Sequence, residues 1–407
     1  MVIVLEVYDL KNNCYGCNAC YNVCPNKAIS THADQEGFLY PMINDALCLE
    51  CGNCREVCPI YTDKLDINHS KSDFNQHNSL DNAMDTNFEQ KVYAVKHREE
   101  AIRMKSSSGG MFTAISYFIL GQGGIIYGAA FDENLNVCHK RATTKQEQSE
   151  LRGSKYVQSE IGNTYKTIEK DLLNNRLVLF TGTPCQIAGL KKYLKDINIT
   201  NLILCDIVCH GVPSPQLWRE YIYFAQRKRK KLLKFHYFRT KINGWHSMTS
   251  KNVFQNHKED YKSILSQVHM SLFLSNMILR PCCYSCSFSS MQRVSDITIA
   301  DFWGVERTLP EYDDNKGISL VLTNTSKGQE LLTAVSEVIE VRESNAVSCK
   351  QSSLVQPATL LPERKEFWKA YHKRGYEYVA KKYAGYTINN RVKQTIYDQL
   401  KKWKNSI

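Results

Sequence analysis

Eight cysteines near the N-terminus fall into two copies of one spacing, C-x-x-C-x-x-C-x-x-x-C-P, beginning at Cys14 and again 34 residues later at Cys48. A loop of this spacing wraps three thiolates around one small iron-sulfur cluster, and in two-cluster ferredoxins the fourth thiolate of each run crosses to the other cluster. The crossing assigns Cys14, Cys17, Cys20 and Cys58 to one 4Fe-4S cluster, and Cys48, Cys51, Cys54 and Cys24 to a second. Pro25 and Pro59 turn the chain after each crossing cysteine. Structural zinc also takes four thiolates, but two identical three-plus-one runs, each closed by proline, point to iron. Such a unit transfers single electrons and makes no bonds, so bond chemistry has to come from the rest of the chain.

A second set of thiols lies further on. Cys185 follows a strand in TGTPCQ, Cys209 follows the next strand in DIVCHGVPSP, and Cys282, Cys283 and Cys286 sit in RPCCYSCSF just before the strand SDITIADFWG. Loops at the carboxyl ends of neighbouring strands in an open α/β sheet meet, so Cys185, Cys209, Cys283 and Cys286 are expected to hold a third 4Fe-4S cluster. C-x-x-C also serves redox dithiols and zinc. Cys138, Cys205 and Cys349 read as small buried hydrophobes. His210, beside Cys209, is a candidate proton donor, although a local hydrogen bond would equally account for it.

The stretch KSSSGGMF, Lys105 to Phe112, opens onto an apolar helix. Small residues permit close backbone approach, and a helix N-terminus offers N–H groups to an anion such as the pyrophosphate of FAD. A loop with an N-cap would look the same. RGSKYVQS (Arg152 to Ser159) and the turn Thr181 to Thr183 are its companions in the flavin reading.

The elements that must position these residues can be read as well. The chain has 407 residues, 43% hydrophobic and 23% charged, enough for two or three folded domains and unlike a disordered protein. Residues 1–63 form the ferredoxin unit, of α+β ferredoxin-like class. Residues 64–90 are polar and aperiodic and read as a linker. From 91 to 350 strands and helices alternate, predicting a larger α/β domain of flavoprotein type, with an N-terminal part to about 175 and a C-terminal part from about 176. Residues 351–407 read as a helical, basic C-terminal tail. The start, MVIVLEVYDL, lacks a basic segment and reads as a first strand rather than a signal peptide, and sixteen cysteines without secretory features fit a reducing cytoplasm. The longest apolar run, Ile115 to Phe131, is interrupted by Gln122 and four glycines, so no membrane span is expected.

Several of these segments, SSGGMFTAI, RGSKYVQS, FTGTPCQIAGLKKYL, DIVCHGVPSP and RPCCYSCSFSSMQRVSDITIADFWG, together resemble the beta subunits of coenzyme F420 hydrogenases and dehydrogenases. The resemblance implies an iron-sulfur flavoprotein that passes electrons between clusters and a soluble hydride carrier or reducible small molecule. It also implies flavin contacts at Ser107, Ser108, Gly109, Gly110, Lys155 and Gly182, and iron ligation by Cys185, Cys209, Cys283 and Cys286. Two positions depart from the pattern: Cys282 stands where a small non-cysteine residue is usual, leaving open which adjacent thiol binds iron, and Ala300 stands where glycine is usual.

The formal charge of +11 is uneven: residues 1–63 carry three basic and eight acidic side chains, a net −5. The runs RKRKK (Arg227 to Lys231) and the basic tail with Trp403 read first as solvated faces, then as a dock for an acidic redox protein such as ferredoxin or flavodoxin. No nucleic-acid recognition module accompanies them. A second reading makes the chain a non-catalytic electron-transfer subunit on a partner oxidoreductase.

Overall fold

The computed structural model describes residues 7–8, 11–60 and 88–394. The expected first strand, nearly all of the 64–90 linker and the end of the tail with Trp403 lie outside the described residues.

In the N-terminal unit the sequence repeat is also a backbone repeat. Gly16 and Glu50, the residues just before the second cysteine of each run, both have positive φ, as do Asn18 and Gly52 just after it. These left-handed steps curl each loop around a common centre before a short helix begins, α1 (Ala19–Val23) in the first run and α2 (Asn53–Glu56) in the second. Between them β1 (Ile29–Ala33) and β2 (Leu39–Ile43) form an antiparallel hairpin, with Ile29 opposite Ile43.

The larger body is built on one eight-stranded sheet. It contains β3 (Lys91–His97), β4 (Ile125–Phe131), β5 (Val137–Ala142), β6 (Val178–Gly182), β7 (Leu202–Ile207), β11 (Ile297–Asp301), β12 (Ser319–Thr323) and β13 (Ile339–Ser344). Their order is β13-β3-β12-β11-β7-β6-β4-β5. The pairings make β3, β4, β6, β7 and β11 point the same way, so the loops after β3, β6, β7 and β11 leave from one edge. Central strands read as continuous apolar runs because both faces are covered. On one face Ile126, Leu179, Ile203 and Ile297 pack with α4 (Met111–Gly121), α5 (Lys145–Leu151) and α11 (Ser326–Ala334). On the other, Ile125, Val178, Phe180 and Leu204 meet α6 (Thr164–Leu173) and α7 (Pro184–Tyr193), while Leu320 and Leu322 meet Trp245, Phe302 and Val305. The short α3 (Glu100–Lys105) and α10 (Val305–Thr308) complete the loops. Strands from both sides of residue 175 interleave, so the two predicted parts of the α/β domain share one sheet.

A second layer consists of the antiparallel sheet β8 (Leu233–Thr240), β9 (Thr249–Phe254) and β10 (Glu259–Asp260) with α8 (Pro215–Arg229) and α9 (Ile264–Leu274). The tail helices α12 (Glu363–Arg374) and α13 (Tyr376–Tyr383) belong to this layer: Phe367, Tyr371, Tyr376 and Val379 are buried with Trp218, Tyr221 and Phe224 of α8. They are part of the body and not an appendage. Arg227 and Lys228 of the basic run pair with Glu377, at 2.7 and 2.8 Å, tying α8 to α13.

The ferredoxin unit seats directly on the body. A Cβ added at Gly189 of α7 would lie 2.8 Å from Cys17 Sγ, so the helix can support the first cysteine loop only through glycine. Arg364 of α12 pairs with Glu36 in the β1–β2 turn and donates to Leu279 O at 3.0 Å. Gly189→Leu is therefore expected to unseat the first cysteine loop and lower bound iron by about four per chain with little change in far-UV circular dichroism. Unchanged iron would show that α7 is not the support.

Candidate iron-sulfur centres and cofactor loop

Three cavities gather thirteen of the cysteines named from the sequence. Cys14, Cys17, Cys20 and Cys58 line the first, and Cys24, Cys48, Cys51 and Cys54 the second, which is the crossed arrangement. Cys185, Cys209, Cys282, Cys283 and Cys286 line the third. Cys138, Cys205 and Cys349 line none of these three; Cys205 and Cys349 are fully buried.

The electrostatics of the three sets match a metal site. Burial pushes the Cys17 thiol well up, and Cys58 and Cys14 push it further; Cys20 is raised by burial and then by Cys17 and Cys14. Cys54 is raised by burial, with Cys48 and Cys51 adding to it. In the third set burial and then Cys286 lift Cys185 to about 12, and burial followed by Cys283, Cys185 and Cys286 lifts Cys209. Thiols that oppose one another's ionisation in this way can all become thiolates only around a cation, which is what an iron cluster supplies. The donor sets fit 4Fe-4S clusters in number and type.

The third set is assembled by local sequence devices. Pro184 opens α7 as its first helical residue, and Gln186 Oε1 accepts the Thr183 N–H at 2.9 Å, fixing the turn that presents Cys185. Arg293, buried, donates to Asp206 Oδ2 at 2.9 Å, to Ile207 O at 3.1 Å and to Ser290 O at 3.0 Å. It thereby clamps the loop after Cys286 to the end of β7, from which Cys209 follows. The adjacent Cys282 and Cys283 are both buried in this wall, and their contact with one another raises the Cys282 thiol and lowers that of Cys283. His210 also lines this cavity, hydrogen-bonded through Nε2 to Asn276 Oδ1 at 2.6 Å and through Nδ1 to Ser353 Oγ at 3.5 Å. Both ring nitrogens are thus engaged locally.

The Ser/Gly loop lies at the same sheet edge, after β3 and α3. Ser107 Oγ accepts the Ser154 N–H at 2.9 Å, joining it to the RGSKYVQS segment. Ser108 Oγ donates to Ile318 O at 2.7 Å and to Ala300 O at 3.2 Å, and Gly109 N–H donates to Ser319 Oγ at 3.0 Å. Gly110 caps α4 with a left-handed backbone, φ 97. Gly182 ends β6. Lys155 Nζ donates to the carbonyls of Glu150, Leu151 and Arg152, closing α5, and burial brings its pKa down to about 7. Lys241, absent from the sequence reading, donates to Ser108 O and Arg103 O at 2.6 Å and is likewise lowered by burial to about 7. The loop's hydroxyls are spent on the fold, and the two neighbouring amines likewise hold backbone carbonyls. The Ala300 side chain packs with the core cluster around Phe302.

Sequence reasoning also missed Tyr15, which lines both the first and third cavities, and Arg280, Gln158 and Arg293 around them. Tyr15 and Arg280 each sit inside a cysteine motif that could have drawn attention to them.

With this geometry, comparison with known protein families finds two matches. The C terminus of the coenzyme F420 hydrogenase/dehydrogenase beta subunit matches residues 175–347, and a 4Fe-4S dicluster domain matches residues 13–61. The chain thus joins a 4Fe-4S dicluster domain to a region similar to the C terminus of that beta-subunit family. As a beta-subunit-type protein with a dicluster domain, it is an iron-sulfur electron-transfer protein with two 4Fe-4S clusters. Among solved structures, a chain of the F420-reducing NiFe hydrogenase complex of Methanosarcina barkeri, determined for xenon derivatisation, is similar at 15% identity and TM-score 0.44, covering 74% of this chain and 94% of that one. No curated protein matches the sequence. Among the described residues no helix is long and apolar enough to cross a membrane.

The thiol roles are testable one at a time. Cys283→Ser should lower iron by about four per chain, whereas Cys282→Ser and Cys349→Ser should leave it unchanged. Equal losses from Cys282→Ser and Cys283→Ser would contradict the division between the two.

Proposed function

We propose that this protein is an iron-sulfur flavoprotein oxidoreductase: electrons pass between an external carrier, the two ferredoxin clusters, a third 4Fe-4S cluster at Cys185, Cys209, Cys283 and Cys286, and FAD at the Ser107–Gly110 loop. The observation that carries this reading is the convergence of the third thiol set next to the first, with Tyr15 in the wall of both cavities. A flavin suits the position because it exchanges one electron at a time with clusters and a hydride with a soluble F420-like carrier or other small substrate. The chain's own contribution is placement: Lys155 and Lys241 hold the backbone carbonyls around the loop, Gly109 lets it pack against Val95 and Ser319, and Gly182 ends the neighbouring strand. His210 serves here as a wall of the third cavity, since both of its nitrogens are already held.

A second reading, an electron-transfer subunit docked to a partner oxidoreductase, is favoured by a different feature. Cys51 of the distal set is exposed, and Leu49 of the same cavity wall and Leu47 two residues before it are exposed too, at 61 and 47%. Exposed apolar side chains next to a cluster are where an electron-transfer partner would sit. Asp45 and Glu50 on the same face are exposed as well, so an acidic ferredoxin or flavodoxin would meet like charge there.

Anaerobic purification with iron, sulfide and flavin measured per chain separates the outcomes. The flavoprotein reading expects about twelve irons and one FAD. About eight irons without flavin would overturn it and leave the subunit reading.

A further inference from the structure

Arg280 has no exposed surface, and every hydrogen bond of its side chain goes to a group around the first cysteine set, while its backbone holds Val212 and Cys283 in the wall of the third cavity. Nε donates to Cys14 O at 2.7 Å, Nη1 to Gln158 Oε1 at 2.9 Å, and Nη2 to Leu39 O at 3.0 Å and to Cys14 Sγ at 3.6 Å. The guanidinium also lies over the Tyr40 ring, 4.1 Å from its centroid. Among the described residues no carboxylate pairs with it, in contrast to Arg293 with Asp206 or Arg239 with Asp301. The cysteine loop is shaped to admit it: a Cβ added at Gly16 would lie 2.9 Å from Arg280 Nη1 and 2.6 Å from Gln158 Nε2.

A cation taken fully out of water is unfavourable unless a negative charge answers it. The thiolates of the Cys14 set are the nearest source of that charge. We propose that Arg280 is the built-in counter-charge of the cluster held by Cys14, Cys17, Cys20 and Cys58, and that it keeps the reduction potential of that cluster above the value the ferredoxin unit would have alone. Reduction adds one electron, hence one negative charge, at the site. A fixed cation that also donates an N–H to a ligand sulfur favours the reduced form over the oxidised one. Because Arg280 belongs to the body and Cys14 to the ferredoxin unit, the potential of this cluster becomes a property of the seated assembly. The assignment rests on the two-cluster ligation and not on the third cluster or on FAD.

The test is an anaerobic redox titration of the full chain, followed by electron paramagnetic resonance, with iron counted in parallel. At parental iron content, Arg280→Met should make one cluster at least tenfold harder to reduce, a fall in midpoint of about 59 mV for one electron, and Arg280→Lys should fall less. Midpoints of all clusters unmoved in Arg280→Met would overturn the proposal. If Arg280→Met loses iron, Gln158→Glu decides, because it keeps Arg280 and sets a carboxylate against its Nη1. A fall in one midpoint supports the counter-charge, and no fall contradicts it. An iron count near eight without flavin would remove the flavoprotein reading while leaving this comparison of midpoints intact.

Discussion

Thiolates brought to one point repel one another, and burial penalises each of them further; a protein that gathers four needs a cation at the centre and a scaffold stiff enough to hold the ring. Cys17, Cys20, Cys185 and Cys209 all carry this signature, their ionisation opposed first by burial and then by the other sulfurs of their set. Much of the architecture can be understood as meeting that constraint. The ferredoxin unit does so with paired left-handed steps at Gly16 and Asn18 and at Glu50 and Gly52, and the body does so by using the edge where strand loops converge.

The helix α7 joins the two solutions. Its first turn presents Cys185 to the third cavity, and one turn later Gly189 receives Cys17. Tyr15 closes the gap from the other side, in the walls of both cavities, with its hydroxyl accepting the Ser287 N–H at 3.1 Å. Arg280 pins the same seam electrostatically. The clusters are thus not strung on a flexible tether: the first is built into the contact between the ferredoxin unit and the body, while the second, with exposed Cys51, faces outward. An inner and an outer site suit a path between solvent and the sheet edge.

What could be read from the sequence was local. Spacing identifies the crossed ferredoxin sets because three of each four ligands lie within seven residues of chain, and the strands at Val178 and Leu202 were legible as apolar runs ending just before Cys185 and Cys209. Long-range partners were not legible: nothing about RPCCYSC says that its arginine reaches Cys14 O and Leu39 O. The tail misled for a physical reason. Phe367, Tyr371, Tyr376 and Val379 form a buried stripe on α12 and α13, but interleaved lysines and arginines dominate the composition and make two core helices look like a solvated appendage. The basic run at Arg227 is the solvated face its composition suggests, with Arg227 and Lys228 also tied to Glu377. Cys282 and Cys283 could not be told apart by spacing, and both stand in the wall of the same cavity.

Three sulfur-lined sites, two in the ferredoxin unit and one at the sheet edge, are each proposed to hold an iron cluster, and their occupancy can be seen. Anomalous diffraction at the iron edge from anaerobically grown crystals addresses it directly. The account predicts three compact iron peaks, enclosed by Cys14, Cys17, Cys20 and Cys58, by Cys24, Cys48, Cys51 and Cys54, and by Cys185, Cys209, Cys283 and Cys286. Two peaks only, with the sheet-edge cysteines empty of iron in a protein of full ferredoxin occupancy, would contradict it.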